Sequence, residues 1–432
     1  MLNMSKVTQS LPFITFASGI GMFLEVFDFL VYGYLATIIA KIFFPPMVPA
    51  AALLAALAVF GVGYLMRPVG SLVFGHISDK YGRKVAFAFT LIIMGVATIG
   101  IGLSPTYEAV GILATIILII FRLLQGFSLG GEFGSATTYI LEHAPSHRRA
   151  LYASIVQGMW PLGILAAVVT LYLVSALSKE AMLSWGWRIP FLVAGVIAIV
   201  GLIARLMLEE TPVFKEIERR GLVAKSPIVE AFKKAWLPFL IVLLLQVAET
   251  SIWYSSFVTT FIYWQVVSKV PYVTALFSYI ILMIITFFTY VLGGYLTDVY
   301  GRRPIFRYTY SIAALTVVPL FYVFNVTSNP LFLGITTYIL LIYAAFGNAD
   351  LGAAFPELMP ADVRVTGFGF AYQIATGIYG GFIPYISTAL LLTFHNPALS
   401  VLYVAIGLAI GAIVAWLWLP ETKGVDLTRV KG

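Results

Sequence analysis

The chain has 432 residues, 61% hydrophobic and 10% charged, with a formal net charge of +7 and no cysteine. Soluble domains carry about 45–50% apolar and about 25% charged residues, so a mean hydropathy of +0.98 excludes an ordinary water-soluble enzyme and a disordered chain. The missing cysteines exclude disulfides and thiolate metal sites.

A spanning helix takes roughly 20 apolar residues. Such runs fall at 13–39, 50–75, 85–104, 110–141, 151–177 and 187–208. After a charged stretch at 209–235 they return at 236–264, 272–297, 305–325, 331–358, 366–393 and 398–419. The pattern predicts an all-α integral membrane protein of 12 transmembrane helices in two six-helix bundles, 1–208 and 236–432, the second with a short cytoplasmic tail. The first run holds Glu25 and Asp28, which a cleaved signal peptide would not carry, so it reads as a retained span. In the amphipathic linker 209–235, Pro212 can start a short helix, Phe214 and Ile217 share a side, Gly221 can end it, and Ser226-Pro227 reads as an N-cap and first helical position. It is expected to lie on the membrane surface as a solvated tether.

Lysine and arginine sort by loop parity. With a cytoplasmic N-terminus, 20 fall inside (Lys6 and Lys431 among them), 4 outside (Lys41, Lys179, Arg188 and Lys269), and Arg67 and Arg122 within spans. This positive-inside bias puts both termini in the cytoplasm of a multi-pass plasma-membrane protein. The net positive charge then calls for no nucleic-acid partner.

The halves repeat. Gly75-x-x-x-Asp79-x-x-Gly82-Arg83-Lys84 matches Gly294-x-x-x-Asp298-x-x-Gly301-Arg302-Arg303; Glu142-x-x-Pro145-x-x-x-Arg149 matches Glu357-x-x-Pro360-x-x-x-Arg364; and Leu208-Glu-Glu210-Thr211 resembles Leu419-Pro-Glu421-Thr422. An offset of six spans keeps the membrane orientation, so the repeat is parallel. Its pseudo-two-fold axis runs along the membrane normal, with a substrate site between the halves.

These repeated loops resemble those of the major facilitator superfamily. Glu25-Val-Phe-Asp28 through Gly33, Arg67-Pro68-Val-Gly70, Arg122-Leu-Leu-Gln125-Gly126 through Glu132, Trp187-Arg188-Ile-Pro190-Phe191 and Pro420-Glu421-Thr422-Lys423-Gly424 resemble its metabolite–proton symporter branch. That resemblance implies proton-driven uptake of carboxylates and related metabolites, including betaine-type solutes, with no cofactor beyond the proton gradient.

Residue chemistry is consistent with this. Glu25, Asp28, Glu132, Glu249 and Asp350 lie within spans with Arg67 and Arg122. Each costs about 2.5–3.5 kcal/mol on insertion scales, so a polar interior must use them. Glu25 sits about 18 Å along its helix at about 1.5 Å per residue, near the midplane. Asp28, three residues on, shares its face, and such a pair is expected to hold the coupled proton, the alternative being a structural pair tied to Arg122 or Arg67 that holds helices together. Arg122 and Gln125 share a face, and the guanidinium offers a bidentate fork for a substrate carboxylate, or for the deprotonated first-span carboxylate when substrate is absent; the alternative is a permanent salt bridge to Glu132 or Glu25. Gln157, Trp160, Glu249, Tyr254, Asp350, Tyr372 and Tyr379 are further candidates to line the site. Glu132 reads as a gating or structural ion pair with Arg67 or the loop arginines. Gly126, Gly130 and Gly134 form a ridge for close helix packing.

In the loops, Gly75 permits close helix approach, Gly82 and Gly301 a tight turn. Asp79 can cap the third span, and Arg83 and Lys84 would sit among headgroups. With Asp298, Arg302, Glu142, Arg149, Glu357 and Arg364 they form an expected cytoplasmic latch. No phosphate-binding loop or His-Glu-x-x-His is present, and Pro145 between His143 and His147 argues against a helical metal pair. The reading is a monomeric, proton-coupled symporter of a small organic acid working by alternating access, not an enzyme. The alternatives are a transporter of a neutral or zwitterionic solute and a non-translocating sensor.

Overall fold

A computed structural model describes residues 10–47, 49–174 and 177–430; Lys6 and Lys431 lie outside the described residues. The spans are α1 (Leu11–Tyr34), α2 (Pro49–Leu65 and Arg67–Tyr81), α3 (Arg83–Leu103), α4 (Ile112–His143), α5 (Arg149–Gln157 and Met159–Val174) and α6 (Ile189–Leu206). The second set is α7 (Pro227–Tyr254, continued to Thr260–Val266), α8 (Tyr272–Tyr300), α9 (Arg302–Val326), α10 (Pro330–Leu358), α11 (Arg364–Ile374 and Ile383–Phe394) and α12 (Leu402–Leu417). Among the described residues, eight helical stretches are long and apolar enough to cross a bilayer. The other four are α2, broken at Met66, α7 and α11, and the shorter α12. The breaks in α7 and α11 are π-helical turns at Ser255–Thr259 and Ala375–Tyr379, a distortion frequent at functional sites.

In the first bundle α4 packs on α2 and α3, and α1 on α5 and α6. In the second, α10 packs on α8 and α9, and α12 on α7 and α9. The bundles meet where α2 and α4 face α11, and where α5 faces α8 and α10. Lipid is as apolar as leucine, so helices here associate through close packing rather than through exclusion of water. A Cβ on Gly126 would strike the Gly63 carbonyl, and one on Gly130 the Arg67 carbonyl, so the glycine ridge seats α4 against α2. Gly134 faces Val365 and Gly369 of α11 in the other bundle.

The linker departs from the expected tether. Thr211 Oγ1 accepts the Phe214 N–H at 3.2 Å, and Gly221, at φ +66°, follows the helix Pro212–Arg219. Val213 and Ile217 are buried with Leu141, Ala150, Ala353, Ala361 and Leu427, so the segment docks on protein rather than lying free on the membrane. Ser226 precedes Pro227 as expected, yet its side chain makes no cap. The helix entering α7 kinks at Ala235 (φ −135°, ψ 29°), marking the turn from surface to span.

Gly126→Val is expected to cost about 1–3 kcal/mol through overpacking, read as a lower unfolding temperature in detergent. Gly33→Ala, with open space beyond its Cβ position, should change stability by no more than about 1 kcal/mol.

Candidate functional site

A cleft of about 500 Å³ lies between the bundles. The first bundle contributes Glu25 and Phe29 from α1, Tyr64 and Arg67 from α2, and Trp160 from α5. The second contributes Gln246, Glu249, Trp253 and Tyr254 from α7, Asn348 from α10, and Tyr372 and Thr376 from α11. An apolar cavity of about 520 Å³, sharing Val26, Phe29 and Trp253 with the cleft, continues between α1, α5, α7 and α8 away from the loop motifs.

The cleft's cation is Arg67. Its Nη2 donates to Glu25 Oε1 at 2.5 Å and its Nε to Gln373 Oε1 at 2.9 Å. The second oxygen of Glu25 has no hydrogen-bond partner. Opposite, Glu249 accepts, among the described residues, only from neutral groups, the Tyr310 hydroxyl at 3.1 Å and the Asn348 amide. The cleft thus carries two carboxyls and one guanidinium within an aromatic wall, where Trp160 and Trp253 meet edge-on at 5.7 Å and Tyr254 lies 4.9 Å from Trp253.

Glu25 and Asp28 do not form one site. Residues three apart on a helix differ by about 60° in direction, enough here to send Glu25 to Arg67 and Asp28 to Arg122. Arg122 Nη1 lies 3.1 Å from Asp28 Oδ2 and donates to Gln125 Oε1 at 2.8 Å; the guanidinium sits 3.6 Å from the Tyr32 ring centroid. Gln125 in turn donates to Thr98 Oγ1 at 2.7 Å. The whole group lies among α1, α3 and α4, so the Arg122 fork does not line the cleft.

Of the other candidates, Trp160, Glu249, Tyr254 and Tyr372 line the cleft. Gln157 is buried beside Gly352 at the α5–α10 contact. Tyr379 bonds to Ser251 at 3.0 Å and donates to the Tyr403 carbonyl at 3.2 Å, outside the lining. Asp350 is fully buried outside the cleft, with no hydrogen-bond partner on either oxygen among the described residues. Glu132 pairs with neither Arg67 nor a loop arginine. It takes both Arg205 terminal nitrogens and the Thr90 hydroxyl, while Arg205 also donates to the Ala17 and Phe87 carbonyls. It therefore ties α1, α3, α4 and α6 inside one bundle. Sequence reasoning took Arg67 only as an ion-pair partner for the span carboxyls and missed Gln246, Trp253, Asn348 and Thr376 in the cleft wall and Gln373 behind it. Arg67 was visible as one of two arginines within spans; the neutral residues carried no signal above the apolar background.

The loop motifs meet at one end of the molecule. Asp79 does not cap α3. Its carboxylate accepts the Val365 and Thr366 N–H groups at 3.3 and 2.8 Å, capping α11 of the other bundle. Asp298 does the same for α5, at Ala150 (3.1 Å) and Leu151 (2.8 Å). Gly75 lies so close to α11 that a Cβ would come within 2.8 Å of Thr366 Cα. Gly82 and Gly301, at φ +105° and +99°, make the expected turns. The caps of α3 and α9 come instead from Glu210, at the Arg83 and Lys84 N–H groups, and from Glu421, at those of Arg302 and Arg303. Burial raises the Glu210 carboxyl above the usual glutamate range, against the pull of those N–H groups and the Arg83 guanidinium.

Arg83 is not among headgroups but fully buried, 3.2 Å from Asp79 and 3.5 Å from Glu142, donating to the Ala361 carbonyl across the interface. Glu142 reaches Arg364 at 2.5 Å, Glu357 reaches Arg149 at 3.7 Å, and Glu357 also takes two bonds of 3.0 Å from Arg302. The tail after α12 crosses this cluster: Arg149 donates to the Val425 carbonyl and Arg364 to the Leu427 carbonyl, both at 2.7 Å. This end of the cleft is closed.

Asp79→Ala is expected to loosen that closure by about 1–2 kcal/mol, a roughly 5- to 30-fold shift in population. A cysteine placed at buried Ala353, in a chain with none of its own, should then be alkylated faster by about that factor. An unchanged rate would mean the cap adds nothing to the closed state.

The family profile described as sugar (and other) transporter matches residues 14–231 and 230–431. The chain is 36% identical to the citrate-proton symporter of Klebsiella pneumoniae over 373 residues, covering 86% of this chain and 83% of that one. It is 32% identical to the proline/betaine transporter of Escherichia coli K12 over 421 residues, covering 92% and 81%. The proton:xylose symporter XylE of E. coli, bound to 6-bromo-6-deoxy-D-glucose, shares the fold with a TM-score of 0.79 at 17% identity, over 97% of this chain and 98% of its own. The chain belongs to the sugar (and other) transporter family of the major facilitator superfamily, and it is a membrane transporter rather than an enzyme.

Proposed function

We propose that the chain is a proton-coupled symporter of a small organic acid bearing one carboxylate, with the latched end toward the cytoplasm of a bacterial plasma membrane. The observation that supports this reading is the Arg67–Glu25 pair, buried and facing the cleft. A guanidinium binds carboxylates through a planar fork. Glu25 occupies that fork when ionised and vacates it when protonated, so the substrate anion and the proton bind together. The charge balance of the cleft, two carboxyls against one arginine, favours a single carboxylate over a polyanion. Proton coupling passes in this reading to Glu25 and substrate binding to Arg67, while Asp28–Arg122 keeps α1 seated on α4.

A second reading has its own support. Glu249 has no cation beside it among the described residues, and Trp160, Trp253 and Tyr254 line the cleft with it. Aromatic faces attract cations, so a zwitterion could place its carboxylate on Arg67 and its ammonium here. The resemblance to a proline/betaine transporter accords with that.

The test is uptake of labelled carboxylates and betaines into proteoliposomes with and without an inward proton gradient. Glu25→Gln is expected to keep substrate exchange and lose gradient-driven accumulation; retained accumulation would remove the coupling role. Arg67→Lys should weaken substrate affinity about tenfold or more, the worth of a hydrogen bond to a charged group. Glu249→Gln should spare organic-acid uptake but abolish betaine uptake, separating the two readings.

A further inference from the structure

We infer that Gln373 is the positioning residue that links the occupant of Arg67 to the closed latch. This rests on the partner exchange at Arg67 proposed above. Gln373 is fully buried on α11, outside the cleft lining. It lies nine residues past the latch residue Arg364, about 13.5 Å deeper at about 1.5 Å per residue. Its Oε1 accepts Arg67 Nε at 2.9 Å, and its Nε2 donates to the Leu129 and Gly130 carbonyls of α4 at 3.2 and 3.3 Å. Both ends of the amide therefore bond to the opposite bundle.

The Arg67 guanidinium is planar, with its N–H directions fixed relative to one another. Nη2 holds Glu25 while Nε holds Gln373. Turning the fork toward a substrate carboxylate tilts Nε–H away from Gln373 and weakens the tie. The same α11 carries, at its start, the N–H groups capped by Asp79 and the Arg364 that meets Glu142. The charged and titratable groups around Arg67 are Glu25 of α1, Tyr64 of its own helix, Tyr254 of α7 and Tyr372 of α11. A change of partner at Arg67 is thus felt on α11, and by α11 at the latch. Gln373 touches no substrate in this scheme; it acts through Arg67.

The experiment is a double-mutant cycle read without substrate or gradient, by alkylation of Ala353→Cys in the full-length chain. Glu25→Gln alone is expected to speed labelling, because it frees the guanidinium to leave Gln373. Gln373→Leu alone should speed it about tenfold or more, the loss of a charge-assisted bond. Together they should be no faster than Gln373→Leu alone. A residue that merely packs would give effects that multiply, and multiplicative rates, or an unchanged rate in Gln373→Leu, would overturn the inference. Gln373→Met, of nearly the same length, guards against a folding failure. It can neither accept from Arg67 Nε nor bond to α4, so labelling should again be fast and should not respond to Glu25→Gln; a response would equally overturn the inference. Because no transport is measured, this outcome is separate from the uptake assay, which alone decides whether Glu25 couples the proton.

Discussion

An ion away from water persists only beside a partner that repays its lost hydration, and this constraint organises the molecule. In the first bundle every in-span charge has such a partner: Glu25 with Arg67, Asp28 with Arg122, Glu132 with Arg205. Two of these pairs are enclosed in the bundle and hold its helices in register. The third opens onto the cleft, where a ligand can compete for it. The second bundle is built differently. Glu249 and Asp350 have no ion-pair partner among the described residues, and Glu249 is met by a tyrosine and an amide instead. The two halves share a fold and loop motifs while dividing the chemistry of the cleft between them.

The latch follows from the helix ends. The first N–H groups of a helix lack internal acceptors and favour negative charge. In α5 and α11 those groups face the opposite bundle, and Asp298 and Asp79 reach across to them. The parallel repeat makes the arrangement reciprocal, so each bundle closes on the other through the same contacts. Glu142 and Glu357 each collect arginines from both halves, and the linker helix and the tail cover the cluster. Opening this end must break two caps, two ion pairs across the interface and the tail's bond to Arg149. That cost is what binding at the cleft has to offset.

The π turns in α7 and α11 stand beside the cleft, in the second bundle, where Tyr254 and Thr376 line it. A helix with an extra residue in one turn re-aims its side chains, and local distortion of this kind is frequent where function requires it. Gln246 and Thr250, on the regular helix just before the first of these turns, and Thr376, within the second, form one hydrogen-bonded group on the cleft wall, at 3.0 and 3.1 Å.

The spans, their number, the parallel repeat and the turns at Gly82 and Gly301 could be read in the amino-acid sequence. In lipid each segment must satisfy its own backbone, so length and hydropathy declare a helix without reference to its neighbours. The same holds for the charges, whose burial was foreseeable from their type. What pairs with what was not. Arg67 and Arg122 are chemically equal in the sequence, and only the rotation of α2 and α4 about their axes decides that one meets the cleft and the other the inside of a bundle. Asp79 looked as able to cap the helix that follows it as one 286 residues away; the packing of α2 against α11 settles that. Gln373 and Asn348 carry no charge to betray them. Local rules set each helix, but the partners of a side chain are set by neighbours distant in the chain, and only the assembled bundles supply those.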